Sequence, residues 1–482
     1  MDYGIVLKVI GILLIIEVIF LLPSLLISLY FNESASIAFL ITILIGIVIG
    51  LILYKRENKK IKISIKEGLT IVTIGWLSVS LLGAIPLYIT NSTNTYVEAF
   101  FEVVSGFTTT GASLISDVES LSKGILFWRS LTQWLGAMGI IVFTVALLPS
   151  LGIGGFQIFR AESPGPVPGK IAPRIKDTAK ILYRVYFLMT ILQIILLYFG
   201  GMNLLDSFLN AFGTVATGGF KIKNNANNFD INIYVYLNIV VFMIISGINF
   251  SLYHSLYNEK LEDMICDEEL RFYLGLIILS TFLISLNLFM NKYGSFKLSL
   301  RDSFFQSSSI ITTTGYSIVD FDTWPSFSKA ILYVLMVIGG SSGSTAGGIK
   351  VIRVLIILKL IKREVIKTFH PRAILPIKVN GKIISDETIS GIYSYLGLYI
   401  LIVFVGILLV SLEGVNLGEA TNVIISVLSN VGEVNGFIGP SKGFNVYSQP
   451  ILILLSFFML LGRLELFTII ALLVPRNWKR EI

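Results

Sequence analysis

Charge is scarce in this sequence. Of its 482 residues only 14% are Asp, Glu, Lys or Arg, while 54% are hydrophobic, and the mean hydropathy is +0.82. A soluble chain of this length carries nearer a quarter charged residues, so most of this molecule's surface must itself be apolar and face lipid. Cysteine is scarcer still: a lone Cys266 excludes a disulfide scaffold and a multi-cysteine metal site. Two histidines, His254 and His370, leave little material for zinc binding or histidine acid–base chemistry. No Ser/His/Asp set, no histidine pair and no helically spaced carboxylates fall within an apolar run, which argues against an enzyme.

What is abundant is long apolar runs. Crossing about 30 Å of hydrocarbon takes about 20 residues, and ten runs qualify: 5–30, 36–54, 69–90, 125–150, 181–202, 232–253, 272–290, 327–361, 391–412 and 449–474. The first has no small-residue cleavage site and is followed too soon by a second span to be a signal peptide. Four shorter stretches of mixed polarity, 95–107, 203–215, 300–311 and 416–429, each sit between two full spans. They are expected to be re-entrant, tolerated at membrane depth only where protein or a water cavity surrounds them. If the ten spans alternate, 26 of the 37 Lys and Arg residues fall on one side and nine, Arg129 among them, on the other. The positive-inside rule then places both termini in the cytoplasm. This distribution explains the net charge of +7 without nucleic acid.

The short stretches repeat one another. They read EAFFEVVSGFTTTGAS from position 98, DSFLNAFGTVATGGF from 206, DSFFQSSSIITTTGYS from 302 and EATNVIISVLSNVGEV from 419. Each opens with an acid and reaches a glycine thirteen positions later, at Gly111, Gly219, Gly315 and Gly432. In the second copy Gly218 is the rival, but the offset and the aromatic that follows favour Gly219. A unit of about a hundred residues thus has the form span, short helix, glycine strand, span. Its physical sense is that the acid complements the positive helix end. The negative end then points at the membrane centre, where small residues let backbone carbonyls replace the water shell of a cation. The ion-binding residues expected are Thr109, Thr110 and Gly111; Thr217, Gly218 and Gly219; Thr313, Thr314 and Gly315; and Asn430, Val431 and Gly432.

Phe107-Thr-Thr-Thr-Gly-Ala-Ser113, Thr217-Gly-Gly-Phe220, Ile311-Thr-Thr-Thr-Gly-Tyr-Ser317 and Ser429-Asn-Val-Gly432 carry a family resemblance. The chain resembles the Trk/Ktr/HKT superfamily of potassium transporters over essentially its whole length. Two extra spans before the first repeat place the likeness with the TrkH branch. The resemblance implies an all-α integral membrane protein, with four pseudo-symmetric span–pore-helix–span repeats around a central pore and two added N-terminal helices. The units would be 1–67 for the added pair and 68–180, 181–269, 270–385 and 386–482 for the repeats. It also implies potassium held at the residues just named, rubidium carried too and sodium less well, in the cell membrane, with no covalent cofactor. The partners implied are a second copy in a homodimer, membrane lipid, and a cytoplasmic ring of nucleotide-binding (TrkA-like) subunits. This chain has no nucleotide fingerprint of its own. The fourth copy departs most, with Asn430, Val431 and then Glu433, and fewer ordered carbonyl rings than in tetrameric channels are expected. An alternating-access porter is the rival reading, though such proteins favour inverted repeats, and these four share one order.

Two further features stand at membrane depth. Residues 339–348 read GGSSGSTAGG inside the 327–361 run. Five glycines, Gly339, Gly340, Gly343, Gly347 and Gly348, each cost about 1 kcal/mol in a helix. The segment is therefore expected to unwind and gate the pore, the alternative being a close helix crossing. Gly343 and Gly348 have the spacing of a phosphate loop, but Ile349 occupies the place its lysine needs. Arg463 lies in the last span, where a charge is costly and usually functional. It either faces the pore below the carbonyls, as the family resemblance supports, or snorkels to the surface. Glu465, two positions on, faces another side. Lys359, Lys362, Arg363 and Lys367 are either a regulator's docking face or ordinary cytoplasmic charge, while His370 and the proline-rich 162–169 read as loop.

Overall fold

The structure, a computed structural model, describes residues 3–56, 64–137, 139, 175–224, 232–257, 261–432 and 444–473. The second half of the 125–150 run, the 162–169 stretch and Glu433 lie outside the described residues.

An N-terminal hairpin comes first, α1 (Tyr3–Tyr30) and α2 (Ala35–Tyr54). The two helices approach closely because neither has a side chain at the crossing. A Cβ at Gly11 would lie 2.6 Å from the Gly50 carbonyl oxygen, the small-residue packing that lipid-embedded helices use. The first repeat is α3 (Ile65–Ile89), α4 (Tyr96–Phe107) and α5 (Lys123–Ala137). The second is α6 (Ile175–Phe199), α7 (Leu204–Val215), α8 (Ile233–Ser246) and α9 (Phe250–Tyr257), followed by the short α10 (Leu261–Ile265). The third is α11 (Glu268–Leu288), α12 (Phe296–Ile311), α13 (Ser326–Ile338) and α14 (Val351–Phe369). A two-residue hairpin, Lys378–Val379 with Lys382–Ile383, leads to the fourth: α15 (Asp386–Ser411), α16 (Leu417–Ser429), α17 (Gln449–Arg463) and α18 (Leu466–Leu473).

Leu26, Leu44, Leu279, Phe404 and Leu408 are among many large apolar side chains left exposed. On a soluble protein such a surface would aggregate; here it meets lipid. Polar side chains go inside instead. Thr108 to Thr110, Gln306 to Ser309 and Thr312 to Thr314 are all buried on or just after the short helices.

The short helices are capped as their sequences suggest. Thr95, Asn203 and Asn416 accept the backbone N–H of Glu98, Asp206 and Glu419, at 3.3, 2.7 and 2.8 Å. Those acids lie in the first turn, where they offset the partial positive charge. Asp302 differs: α12 starts at Phe296 rather than near 300, so Asp302 lies well inside the helix and pairs with Arg301 at 2.8 Å.

In the second, third and fourth repeats the second span is not the continuous helix that hydropathy predicts. Among the described residues six helices are individually long and apolar enough to cross a membrane, and none of them is the second span of a repeat. Among the described residues α5 ends at Ala137. The 232–253 run breaks between α8 and α9 at Gly247, and 327–361 breaks over the twelve residues between α13 and α14. The 449–474 run turns by 118° between α17 and α18, at Leu464 and a left-handed Glu465 (φ 60°). Hydropathy reports depth, not continuity. It cannot see a helix that stops at the membrane centre because its end groups bind protein there.

Candidate functional site

The four short helices converge, and each continues into three residues of one backbone pattern. The first is left-handed in every copy: Thr109 (φ 55°), Thr217 (φ 52°), Thr313 (φ 56°) and Asn430 (φ 54°). The third is the glycine, also left-handed: Gly111 (φ 79°), Gly219 (φ 66°), Gly315 (φ 80°) and Gly432 (φ 79°). Gly218 lies outside that region, so Gly219 is the geometric counterpart of the other three. Non-glycine residues held left-handed cost about 1–3 kcal/mol each, and such strain persists only where its surroundings enforce it.

Hydrogen bonding provides the enforcement. The N–H groups of Thr110 and Gly111 both donate to the Ser105 carbonyl, at 2.9 and 3.4 Å. Those of Gly218 and Gly219 use Gly213 in the same way, and those of Thr314 and Gly315 use Ser309. Val431 N–H donates to Ser426 at 3.0 Å. Because a trans peptide opposes its N–H and C=O, carbonyls 109 and 110 and their counterparts are left facing away from the helices.

Those carbonyls form a closed circuit. A Cβ on Gly111 would lie 2.1 Å from the Gly218 oxygen, one on Gly219 1.7 Å from Thr314's, one on Gly315 2.1 Å from Val431's, and one on Gly432 2.2 Å from Thr110's. Each glycine abuts the carbonyl of the next repeat, and the fourth returns to the first. The hydroxyls brace this ring from behind. Thr110 Oγ1 pairs with Thr108 Oγ1 at 2.7 Å and Thr314 with Thr312 at 2.8 Å. Asn430 Nδ2 donates to Thr110 Oγ1 at 2.9 Å and to the Met459 carbonyl at 3.0 Å. The fourth strand, so different in sequence, is thereby stitched to the first.

A buried ion pair stands behind the first strand. Arg129, which charge counting assigns to a loop, is instead buried on α5 and donates to Glu102 of α4, at 2.9 Å from Nε. Arg129 also donates to Ser113 Oγ at 3.0 Å, and Glu102 accepts the Leu114 N–H at 3.0 Å. The pair fixes the chain just past Gly111. Removing one member of a buried pair costs about 3–5 kcal/mol, because the other stays charged in a dry site. Glu102→Leu is expected to lower the unfolding temperature in detergent sharply. The double variant with Arg129→Met should recover much of the loss, as heating followed by size-exclusion chromatography will show.

Directly beneath the ring lies the segment between α13 and α14. Its first and last glycines face each other: a Cβ at Gly348 would lie 2.6 Å from the Gly339 Cα. Gly347 N–H donates to Thr313 Oγ1 at 2.7 Å, and a Cβ on Gly347 would meet the Ser429 oxygen at 2.3 Å. Gly340 packs on Ala346 and Gly343 on Asn249. Thr345 Oγ1 donates to the carbonyls of Val215 and Ser246, and Ser341 N–H to that of Gly247. The break in the second repeat thus receives the loop of the third. Glu269 Oε1 accepts the Ser342 N–H at 2.7 Å. Arg463 completes the layer. Its Nη1 donates to Thr345 O at 2.9 Å and to Thr109 Oγ1 at 3.2 Å, and its Nη2 donates to Gly136 O at 2.9 Å and to Ala137 O. One guanidinium therefore ties the loop, the first strand and the end of α5 together, and it does not reach outward to the surface.

All twelve strand residues and the six loop and arginine residues singled out in the sequence come together here. Others escaped notice. Lys350, left-handed at φ 86° and buried, donates from Nζ to Ala346 O, and Arg353 holds Glu465 through two 2.8 Å contacts while lying 3.9 Å from the Tyr395 ring centroid. Lys350 and Arg353 had counted only toward cytoplasmic charge. The available signal was the presence of charges of both signs inside apolar runs, Arg129, Arg353 and Glu465, with Glu102 inside the first short helix.

Known proteins are similar to this chain over its whole length. A family model described as cation transport protein, TrkH, matches residues 35–480. The Trk system potassium uptake protein TrkH of Salmonella typhimurium is 35% identical, covering 99% of this chain and 100% of the relative. TrkG of Escherichia coli, another Trk system potassium uptake protein, is 34% identical over 95% of each. The crystal structure of the potassium transporter TrkH from Vibrio parahaemolyticus superposes with a TM-score of 0.89 at 31% identity, covering 99% of this chain and all of that one.

Proposed function

Since this chain belongs to the TrkH family of cation transport proteins, a family of transporters and not enzymes, we propose that it takes up potassium through the four-strand ring. The observation that carries this reading is the circuit of glycine-to-carbonyl contacts, 111 to 218, 219 to 314, 315 to 431 and 432 to 110. Inward carbonyls replace the water of a weakly hydrated cation, and four helix C-termini add negative potential at the same place. Thr109, Thr217, Thr313 and Asn430 form the inner mouth, and the glycines stand at the outer side of the ring. Rubidium, close to potassium in size, passes as well, and sodium less readily.

In this reading the 339–348 loop and Arg463 are the gate. Their supporting geometry is that the loop lies against the inner mouth, where it donates hydrogen bonds to Val215 and Thr313 and accepts one from Arg463. The loop continues into α14, whose Lys359, Lys362, Arg363 and Lys367 lie further along the same helix. A cytoplasmic regulatory subunit docking on α14 would pull on the gate directly. The "Trk system" relatives support such a partner, and we place the chain in the cell membrane, as a homodimer with both termini cytoplasmic.

The test is growth. Expression in a bacterium lacking potassium uptake should restore growth in low-potassium medium, and the purified protein in liposomes should pass rubidium along its gradient. Transport only when coupled to a turnover-limited exchange would favour an alternating-access porter. Shortening the gate by deleting residues 341–346 is expected to raise basal rubidium flux while leaving the potassium-to-sodium preference near wild type. Unchanged or reduced flux from well-folded protein would assign the loop to helix packing instead.

A further inference from the structure

Position 218 is where the four strands stop being alike. In the other three, the residue before the ring glycine carries a buried side chain: Thr110, Thr314 or Val431. In the second strand it is Gly218, and its backbone is not left-handed, so nothing in its conformation calls for glycine. Space does. A Cβ at 218 would lie 2.6 Å from Gln133 Cδ, 2.7 Å from Nε2 and 3.0 Å from Gln133 Cβ. Gln133 is fully buried on α5, one turn before Gly136 and Ala137, whose carbonyls hold Arg463. Its Oε1 accepts the Phe220 N–H at 3.4 Å, just past the Gly218–Gly219 pair, and its Nε2 has no hydrogen-bond partner among the described residues.

We infer that Gln133 is a selectivity-determining residue. Its amide, delivered from the first repeat, fills the volume that a strand side chain occupies in the other three and fixes the Gly218 carbonyl within the ring. The inference rests on the reading of the ring as the ion path. Two consecutive glycines have the widest backbone freedom of any dipeptide, and the second strand is the only one with such a pair at these positions. Thr110 and Thr314 brace their own strands through the hydroxyls of Thr108 and Thr312; Ala216 has no hydroxyl to offer Gly218. Left without Gln133, the Gly218 carbonyl would follow whichever ion arrives, and a ring that adapts to both ions discriminates between neither.

The test uses full-length protein in liposomes, with rubidium and sodium uptake measured per folded molecule. Gln133→Ala is expected to lower the potassium-to-sodium preference several-fold, read as sodium uptake rising relative to rubidium uptake. Gly218→Thr alone should lose about tenfold or more of the uptake, since its Cβ would lie 2.6 and 2.7 Å from the amide of the fully buried Gln133. Combining the two moves the side chain from helix to strand. The pair should recover uptake relative to Gly218→Thr and preference relative to Gln133→Ala. A Gln133 that matters only for packing would lower the unfolding temperature and leave the preference intact, and that result overturns the assignment. So does a double variant no better than Gly218→Thr. A wild-type protein without preference would remove the ion-path reading and this assignment together, whereas a selective wild type with an indifferent Gln133 removes this assignment alone.

Discussion

Gly315→Asp abolishes rubidium uptake, and Gly315→Ser leaves uptake that no longer prefers potassium to sodium: these are the expected results of placing a side chain in the ring. Gly315 has φ 80°, and its Cβ would lie 2.1 Å from the Val431 carbonyl oxygen, about 1 Å closer than a carbon and an oxygen tolerate. The backbone must therefore shift, and a strained residue there costs a further 1–3 kcal/mol or so. Serine displaces the third and fourth strands against each other, so in the proposed reading the ring oxygens no longer match a potassium ion. Aspartate adds a carboxylate that binds a cation too firmly to release it. Both variants need the same control, an unaltered elution profile in detergent. If they fold and retain the wild-type preference, the ring is not where ions are sorted.

The second large effect is expected at Arg463. If Arg463 stands beside the ion path, as proposed above, its fixed positive charge raises the energy of a passing cation by about 1–4 kcal/mol at 4 Å, for effective dielectrics between water and protein surface. Removing it lifts flux by about fivefold to several hundredfold if that barrier limits transport. Arg463→Gln should thus raise basal rubidium uptake. Arg463→Lys separates charge from geometry. The guanidinium reaches Thr109, Thr345, Gly136 and Ala137 through two nitrogens at once. An ammonium, a compact point charge without the planar fork, cannot reproduce that span, so the lysine variant should leak even though its charge is intact. Wild-type uptake in both variants would take Arg463 out of the gate.

Much of this arrangement is legible from the chain because the repeat is. The acid-to-glycine offset locates all four strands, and the density of glycine in 339–348 signals a break. Other breaks carry no such mark. The elbow at Leu464 and Glu465 has no proline or glycine at the turning point, and Glu465 is held left-handed while its carboxylate binds Arg353, 112 residues away. No local pattern encodes a contact at that separation. The same holds for Glu102 and Arg129, one in a short helix and one in an apolar run, whose charges are buried for a reason only the packing discloses. Three β-branched threonines at left-handed positions run against their own preference and could not be assigned from propensity. Asn430, the apparent outlier, is the member best suited to that conformation. What looked like decay of the fourth repeat is a local fit to the same backbone.

The glycine-to-carbonyl circuit runs through one polypeptide, from the first repeat to the fourth and back. Nothing has to assemble for it to close, so its integrity is independent of protein concentration, unlike that of a ring shared among subunits. Dilution in detergent should not open it. It also means that a single codon alters one quadrant while three stay native. The chemistry of the aperture can therefore be changed in four separate steps, in any order, something a four-subunit pore encoded by one gene does not permit.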